Sequence, residues 1–208
     1  MKKQILLFVA IFFTFSMIYA QAPGEVRFGA KAGVNLAKLT GEDIEDADGK
    51  TGFHIGGLVE VPVSEKFSIQ PEIIFSQQGL QSKDQFGDVE VESKFKLDYI
   101  NVPIMGKYYI TDGLSIQVGP QIGFTATAEQ EVEVEGDGGN ELEGTEDVSD
   151  SVSGTDISIG GGLEYRLTNG LFFQGRYMFG VSDVGDDDEV FGDSLTNSVL
   201  SFSIGFSF

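Results

Sequence analysis

The sequence predicts an all-β fold: an eight-stranded antiparallel transmembrane up-and-down β-barrel, preceded by a cleaved signal peptide. Three observations lead to this prediction. An apolar segment follows an N-terminal basic pair, every second residue is apolar in many later segments, and tight turns alternate with long loops. We expect residues 1–20 to be the signal peptide and residues 21–208 to form one barrel domain.

The N-terminal segment has the layout of a secretory signal. Two lysines precede an apolar run over residues 5–20 that only Thr14 and Ser16 interrupt. The run is shorter than the roughly 20 residues that a membrane-spanning helix needs, so a signal peptide is favoured over a membrane anchor. Cleavage after Ala20 would release a mature chain that leaves the cytoplasm.

Apolar residues at alternate positions predict strands with one apolar face. Eight segments show this pattern, at residues 28–36, 53–63, 67–75, 100–110, 114–124, 157–165, 171–179 and 200–208. About ten tilted residues, at about 3.3 Å each, cross an apolar band of about 25 Å. The segments therefore have the length that strands crossing an outer membrane require.

Short and long connections alternate along the chain. Tight turns are predicted at residues 64–66, 111–113 and 168–170, and the last two contain the hairpin dipeptides Asp-Gly and Asn-Gly. Long loops are predicted at residues 39–52, 80–95, 129–155 and 183–196. An outer-membrane barrel has this alternation, and an even number of strands lets the last strand pair with the first so that no edge is exposed to lipid.

A soluble barrel has the same alternation, so the chemistry of the two faces has to distinguish them. The apolar faces lack charged residues over their central stretches, and the polar faces are mostly Gly, Ser and Gln. Small polar side chains suit a crowded lumen, whereas a soluble surface would carry many charges. Aromatic residues near both strand ends predict two interfacial girdles. The apolar face is therefore predicted to meet lipid.

Composition excludes several classes of function. With no cysteine, the chain has no disulfide, no zinc–thiolate site and no cysteine nucleophile. A formal net charge of −20 opposes binding of nucleic acid through its phosphates. We expect no cofactor, no resident metal and no nucleic-acid partner.

Six ionisable residues are predicted to face the lumen. Three acids and three bases in a narrow interior should pair, because a lone buried charge is costly. The set is Lys31, Glu60, Glu72, Lys107, Glu164 and Arg176. A proton or ion path is one interpretation, and a structural ion-pair network that plugs the lumen is the favoured one, because an eight-stranded barrel is filled by side chains.

The single histidine, His54, is the one candidate for catalysis. It is predicted to face inward near the long-loop end of the second strand, with serines nearby. Some outer-membrane barrels are lipid-modifying hydrolases that combine a His with a Ser and an acid. No Gly-x-Ser-x-Gly nucleophile motif is present. We therefore predict a protein that is not an enzyme, with a membrane-lipid-modifying enzyme that uses His54 as the alternative.

The negative charge is concentrated in the predicted loops. Residues 129–156 contain eleven Asp or Glu and no Lys or Arg, and residues 183–193 repeat the pattern with six acids. Divalent cations prefer such oxygen ligands, but the spacing does not match an EF-hand. A solvated, self-repelling loop surface is the favoured interpretation, and an extracellular partner could meet it.

The fourth strand shows a change of phase. Apolar residues occupy odd positions up to Tyr99 and even positions from Ile100, which predicts a β-bulge there. Residues 129–135 continue the alternation of the fifth strand. We predict that the fourth and fifth strands extend beyond the membrane as one hairpin, with Lys94 facing Glu129.

Several motifs resemble those of the PorT-like outer-membrane β-barrel family. They are Leu97-Asp98-Tyr99-Ile100-Asn101-Val102-Pro103-Ile104 with Lys107-Tyr108-Tyr109, then Gly119-Pro120, and Gln174-Gly175-Arg176-Tyr177 with Gly180. The resemblance covers the mature chain and implies an outer-membrane barrel without a defined reaction. The C-terminal Phe208 is similar to the signal by which the outer-membrane assembly machinery recognises barrels.

The predicted function follows from these features. We expect a non-enzymatic, monomeric barrel in the bacterial outer membrane, in contact with lipid, with a side-chain-filled lumen and acidic extracellular loops. It would contribute to envelope structure or contact a partner or ligand. An accessory component of a protein-secretion machine is a further alternative.

Overall fold

The computed structural model describes the chain apart from residues 1–23, 41–47, 87–88, 137–139, 149–151 and 183–195. The strands are β1 (Arg27–Thr40), β2 (Asp48–Pro62), β3 (Phe67–Phe86), β4 (Val89–Tyr109), β5 (Leu114–Gly136), β6 (Asn140–Asp147), β7 (Thr155–Arg166), β8 (Leu171–Gly180) and β9 (Thr196–Ser207). Within the described residues, no helix is long and apolar enough to cross a bilayer.

Eight of these strands close into an antiparallel barrel. Each of them pairs with its neighbours in the ring order β1-β2-β3-β4-β5-β7-β8-β9, and β1 pairs with β9 to complete the circle. β6 stands outside the ring, because it pairs with residues 129–136 of β5 whereas β7 pairs with residues 114–124. The predicted eight-stranded barrel is confirmed, and β6 is an additional strand that the sequence pattern did not indicate.

The outward face of the barrel is apolar, and its inward face is polar. Outward side chains such as Val118, Ile73 and Leu163 are more than half exposed, whereas inward ones such as Gln70 and Lys107 are fully buried. A continuous exposed apolar belt of this kind has to be covered by lipid. The prediction that the apolar face is the lipid-facing face is therefore confirmed.

Aromatic residues lie outward at both ends of the belt. The end with the tight turns, here called the short-turn end, carries Phe28, Phe67, Tyr108, Tyr165, Phe173 and Phe206. The opposite, long-loop end carries Phe53, Phe75, Phe124 and Phe179. The Asn-Gly turn at the short-turn end contains Gly170 with φ +91°, a backbone conformation that glycine adopts readily.

Three strands continue well beyond the apolar belt. β3, β4 and β5 have 20, 21 and 23 residues, against 10 in β8. We use the name extension for residues 79–86, 89–98 and 127–136 of these strands together with β6. The predicted hairpin of the fourth and fifth strands is confirmed. Residues 80–95 and much of 129–155, predicted as loops, are instead paired strands, and the loop at 183–196 lies almost wholly outside the described residues.

The interior of the barrel changes character at Tyr99. From Phe95 to Lys107 the odd residues of β4 face inward. On the long-loop side of Tyr99 they are apolar, whereas on its short-turn side they include the polar Asn101 and Lys107 as well as Pro103 and Met105. Phe95, Leu97 and Tyr99 form an apolar cluster with Ala128 and Val152. The outward residues Lys94 and Lys96 are partly exposed beside Glu133 and Glu131. The exterior is therefore apolar where it meets lipid and charged where it meets water.

This inversion corrects the interpretation of the phase change. A bulge was predicted in the fourth strand at Tyr99–Ile100, and the register does shift between Asp98 and Tyr99. The extra residue, however, is Ala126 of β5, and the side chains of β4 alternate without interruption. The apolar positions change parity because the solvent outside the barrel changes from lipid to water.

The contact predicted between Lys94 and Glu129 was wrong by two residues. Lys94 pairs in register with Glu131, and its ammonium contacts Glu133 at 3.1 Å. Lys96 is the residue opposite Glu129, and its ammonium contacts Glu131 at 2.7 Å. Without Ala126, Lys94 would lie opposite Gln130, so the inserted residue aligns the lysines of β4 with the acids of β5.

Candidate functional site

The lumen contains all six ionisable residues predicted to lie there. Their side chains come from β1, β2, β3, β4, β7 and β8, and each residue is at most 4% exposed. Alternation points each of them inward, and closure of the ring brings strands that are distant in sequence to within contact distance. The six residues form two clusters, one above the other.

The first cluster lies at the short-turn end around Lys107. Its ammonium contacts Glu60 Oε2 at 3.0 Å and Glu164 Oε1 at 2.8 Å, and it donates to Gln70 Oε1 at 3.0 Å. All three N–H donors of the lysine therefore have acceptors. One fully buried cation joins three other strands across the lumen.

Three residues that the sequence prediction omitted complete this cluster. Arg166 forms ion pairs with Glu60 and with Glu164, the latter at 3.0 Å. The hydroxyl of Tyr109 donates a hydrogen bond to Glu60, and the half-exposed Arg27 approaches the same carboxylate at 3.5 Å. Arg166 was detectable, because it stands two residues after Glu164 and therefore on the same face of β7.

The second cluster lies in the middle of the barrel around Glu72. Its carboxylate accepts two hydrogen bonds from Arg176, at 2.9 and 2.6 Å, in the bidentate arrangement typical of strong pairs. Lys31 contacts the same carboxylate at 2.8 Å and donates to Gln174 Oε1 at 2.7 Å. Two buried cations thus share one carboxylate.

Three glutamines connect the two clusters. Gln70 accepts from Lys107 and donates to Glu72 at 2.7 Å. Gln117 donates to Glu164 at 2.9 Å and accepts from Arg176 at 2.7 Å, while Gln174 donates to Glu164 at 3.2 Å. The lumen is therefore crossed at two levels by a connected polar network. Among the described residues, side chains of this network fill the lumen at both levels, as expected for an eight-stranded barrel.

His54 forms a hydrogen-bonded chain with a serine and an asparagine. Asn35 Nδ2 donates to Ser76 Oγ at 2.9 Å, which leaves Asn35 Oδ1 to accept from His54 Nδ1 at 2.8 Å. His54 Nε2 lies 2.8 Å from Ser203 Oγ. In its neutral form the imidazole would accept here from the serine hydroxyl, which is the orientation of a general base beside a hydroxyl nucleophile.

The described residues around this hydrogen-bonded chain enclose only a small cavity. Ser203, His54 and Asn35 are 7%, 3% and 2% exposed and face the lumen rather than lipid. The cavity that His54 and Asn35 line has a volume of about 30 Å³, enough for about two waters but not for an acyl chain. Among the described residues, this hydrogen-bonded chain pairs polar side chains that are buried in the lumen.

Two acids of the extension, Glu131 and Glu133, form ion pairs with lysines of β4. No group of three or more His, Asp or Glu able to hold a metal occurs among the described residues. A hydrogen bond from Lys96 holds the pKa of Glu131 below its usual 4.5, and the same bond raises the pKa of Lys96. The acids from Asp183 to Asp193 lie outside the described residues.

Comparisons with known proteins agree with this architecture. The family described as "outer membrane protein beta-barrel domain" matches residues 19–186. The fold is similar to that of Ail, the attachment invasion locus protein of Yersinia pestis, with a TM-score of 0.50, 11% identity, and coverage of 89% of this chain and 100% of Ail. It is also similar to Neisserial surface protein A, with a TM-score of 0.50, 14% identity, and coverage of 87% and 97%.

These two solved structures are similar in fold alone at such identities. No protein of curated function matches the chain. The function therefore has to be argued from the family and from the geometry of the lumen and extension.

Proposed function

Because the chain belongs to the outer membrane protein β-barrel domain family and lies in the bacterial outer membrane, we propose that it is a non-enzymatic anchor that presents the extension to a partner. The barrel supplies attachment to the membrane, and its lumen is closed by side chains. The extension, with the partly exposed acids Glu129, Glu131 and Glu133, supplies the surface for contact outside the cell.

The observation that carries this proposal is the inversion at Tyr99. Above it the apolar cluster of Phe95, Leu97, Tyr99, Ala128 and Val152 is buried and the charged residues face outward. This is the pattern of a water-soluble sheet with its own core. The chain therefore maintains a folded platform beyond the membrane, which an anchor without an external contact would not require.

A photo-crosslinking experiment on intact cells tests the contact. A photoreactive residue at the exposed position 145 of β6 should give a discrete adduct, and one at the lipid-facing position 163 should not give the same adduct. Replacing Glu129, Glu131 and Glu133 with Gln should weaken the adduct at equal barrel content, because these acids provide the charge. An adduct that is insensitive to all three substitutions, or no adduct at all, would refute the proposed role of the extension.

The closed lumen supports a non-conducting barrel. Both ion-pair clusters cross the interior, and the apolar cluster of the extension covers the long-loop end. Reconstitution in planar bilayers should give no stable conductance steps. Steps of uniform size from the purified barrel would contradict the proposal that the lumen network is a structural plug.

The geometry of Ser203, His54 and Asn35 favours a lipid hydrolase as a second candidate, and their burial opposes it. A fluorophosphonate probe added to the folded barrel should not label Ser203. His54→Ala should leave the lipid composition of the membrane unchanged. Labelling that is lost in Ser203→Ala would overturn the non-enzymatic assignment.

Further parts of the proposal concern export, assembly and family membership. Residues 1–20 act as a signal peptide, which N-terminal sequencing of the mature protein beginning at Gln21 would test. The terminal residue supports recognition by the assembly machinery, because Phe208 is 77% exposed at the seam where it pairs with Phe28. The motifs between Leu97 and Gly180 support membership of the narrower PorT-like group. We propose that the barrel is a monomer.

A further inference from the structure

A small cavity lies in the lumen beside the middle cluster. Its volume is about 30 Å³, enough for one monatomic anion or about two waters. Lys31 and Arg176 line it together with neutral polar groups, including Asn101 and Gln121. No carboxylate belongs to its lining in the part of the chain that the structure describes.

The charges around this cavity are unbalanced. Lys31 and Arg176 are 4% and 3% exposed, and Glu72 is the one acid within ion-pair distance of either among the described residues. The cluster at the short-turn end has no excess negative charge, because Lys107 and Arg166 already offset the carboxylates of Glu60 and Glu164. The buried Asp156 forms no ion pair with either cation, so one positive charge of the middle cluster is left without a paired carboxylate among the described residues, where an unpaired charge is costly.

Arg176 also keeps a donor unused. Its two terminal nitrogens donate to Glu72 and Gln117, while its buried Nε has no hydrogen-bond partner among the described residues. His54, on the same wall, has both ring nitrogens occupied by Asn35 and Ser203. The cavity thus combines an excess cation with a free N–H donor, and a bound anion would satisfy both.

From this geometry we propose that the cavity binds one small monovalent anion of the size of chloride. Arg176 and Lys31 supply the charge, and the volume admits a halide ion but excludes a polyatomic anion such as gluconate. The alternative state is a neutral Lys31 with water in the cavity. The two states differ in whether the barrel responds to the identity of the anion, and this response does not depend on the role of the extension.

A titration of the folded barrel separates these states. The isotopically labelled protein is refolded in detergent micelles in sodium gluconate, and bromide replaces gluconate at constant ionic strength. The Nε–H signal of Arg176 should shift and saturate with bromide, because gluconate is too large to enter. A signal that stays unchanged, or that drifts without saturation, overturns the proposal.

Two variants and a matched control assign the response to the cavity. Val199→Leu adds one methylene to the cavity wall and should reduce the apparent bromide affinity at least 10-fold. Val118→Leu adds the same group on the lipid face and should leave the affinity unchanged. Lys31→Gln removes the excess charge and should also abolish saturation.

The outcomes remain decisive if one variant fails to fold. Retention of the electrophoretic mobility of the folded barrel is checked first for each variant. Should Lys31→Gln be unfolded, the comparison between Val199→Leu and Val118→Leu still decides, because neither changes a charge. Equal bromide affinities in these two variants would show that the anion does not occupy the cavity.

Discussion

The barrel and the extension are built from the same continuous strands, yet their chemistry is opposite. In the barrel the outward side chains are apolar and most inward ones are polar, and β4 reverses this distribution at Tyr99 without a break in its alternation. The strand geometry is common to both regions, so the difference lies in what surrounds them. Polarity along a strand therefore locates the membrane boundary.

The ion pairs of the two regions also differ in how much they contribute to the free energy of unfolding. Removing one partner of a buried pair leaves an unpaired charge in a medium of low dielectric, which costs several kcal/mol. The pairs of Lys94 and Lys96 with β5 are partly exposed to water, where such pairs contribute little. Mutations of similar chemistry should consequently have unequal effects in the two regions.

The largest difference is expected for loss of a carboxylate. Glu72→Gln leaves Lys31 and Arg176 without their shared counter-ion and should lower the free energy of unfolding by about 3–5 kcal/mol. Urea titration in lipid vesicles, followed by far-UV circular dichroism, measures it. Glu131→Gln in the extension is the matched control and should be nearly neutral. Similar losses in both variants would remove the distinction between the regions.

A charge added to the outward face should show where lipid ends. Val118→Arg places a cation near the middle of the membrane-crossing segment of β5, residues 114–124, and should cost about 2–4 kcal/mol in the same titration. Thr127→Arg, on an exposed residue of the extension, should have little effect because water surrounds it. A costly Thr127→Arg would move the membrane boundary above Thr127.

A cavity in the apolar cluster should loosen the extension alone. Leu97 is fully buried, and Leu97→Ala should destabilise the extension by about 2 kcal/mol, at the low end for such truncations because the cluster is small. Hydrogen exchange should accelerate for amides of β4 and β5 above Tyr99 and remain slow in the barrel. Acceleration throughout the barrel would show that the two regions unfold together.

The smallest effect is the pH response of the extension. The pKa of Glu131 is depressed in the folded state, so its contribution is present above about pH 4.5 and is lost as the pH falls through the lower folded value. The pKa of Lys96 is raised, so its contribution is lost only at pH above 10.5. Between these limits, amide hydrogen exchange in the extension, corrected for its intrinsic pH dependence, should be constant. Lys96→Gln should abolish the loss of stability of the extension that accompanies protonation of Glu131 at low pH.

Much of the barrel could be predicted from alternation because lipid imposes a strong rule on one face. Residues such as Ile104 and Phe202 identify the outward face, and Lys107 and Glu72 then have to lie inward. Arg166 was missed although its spacing from Glu164 placed it on the inward face. β6 was missed because its sequence, rich in acids and with Gly144 inside it, has little strand propensity.

The sequence by itself determined the number of barrel strands, the lipid-facing side and the inward placement of the six predicted charges, because the period of two couples position to face at every residue. Only the tertiary structure decided which charges meet. Closure of the ring brings Glu72 to Arg176 and Lys107 to Glu164, and Ala126 aligns the lysines of β4 with the acids of β5. These pairings depend on register and ring closure, which join residues far apart in sequence and leave no local pattern.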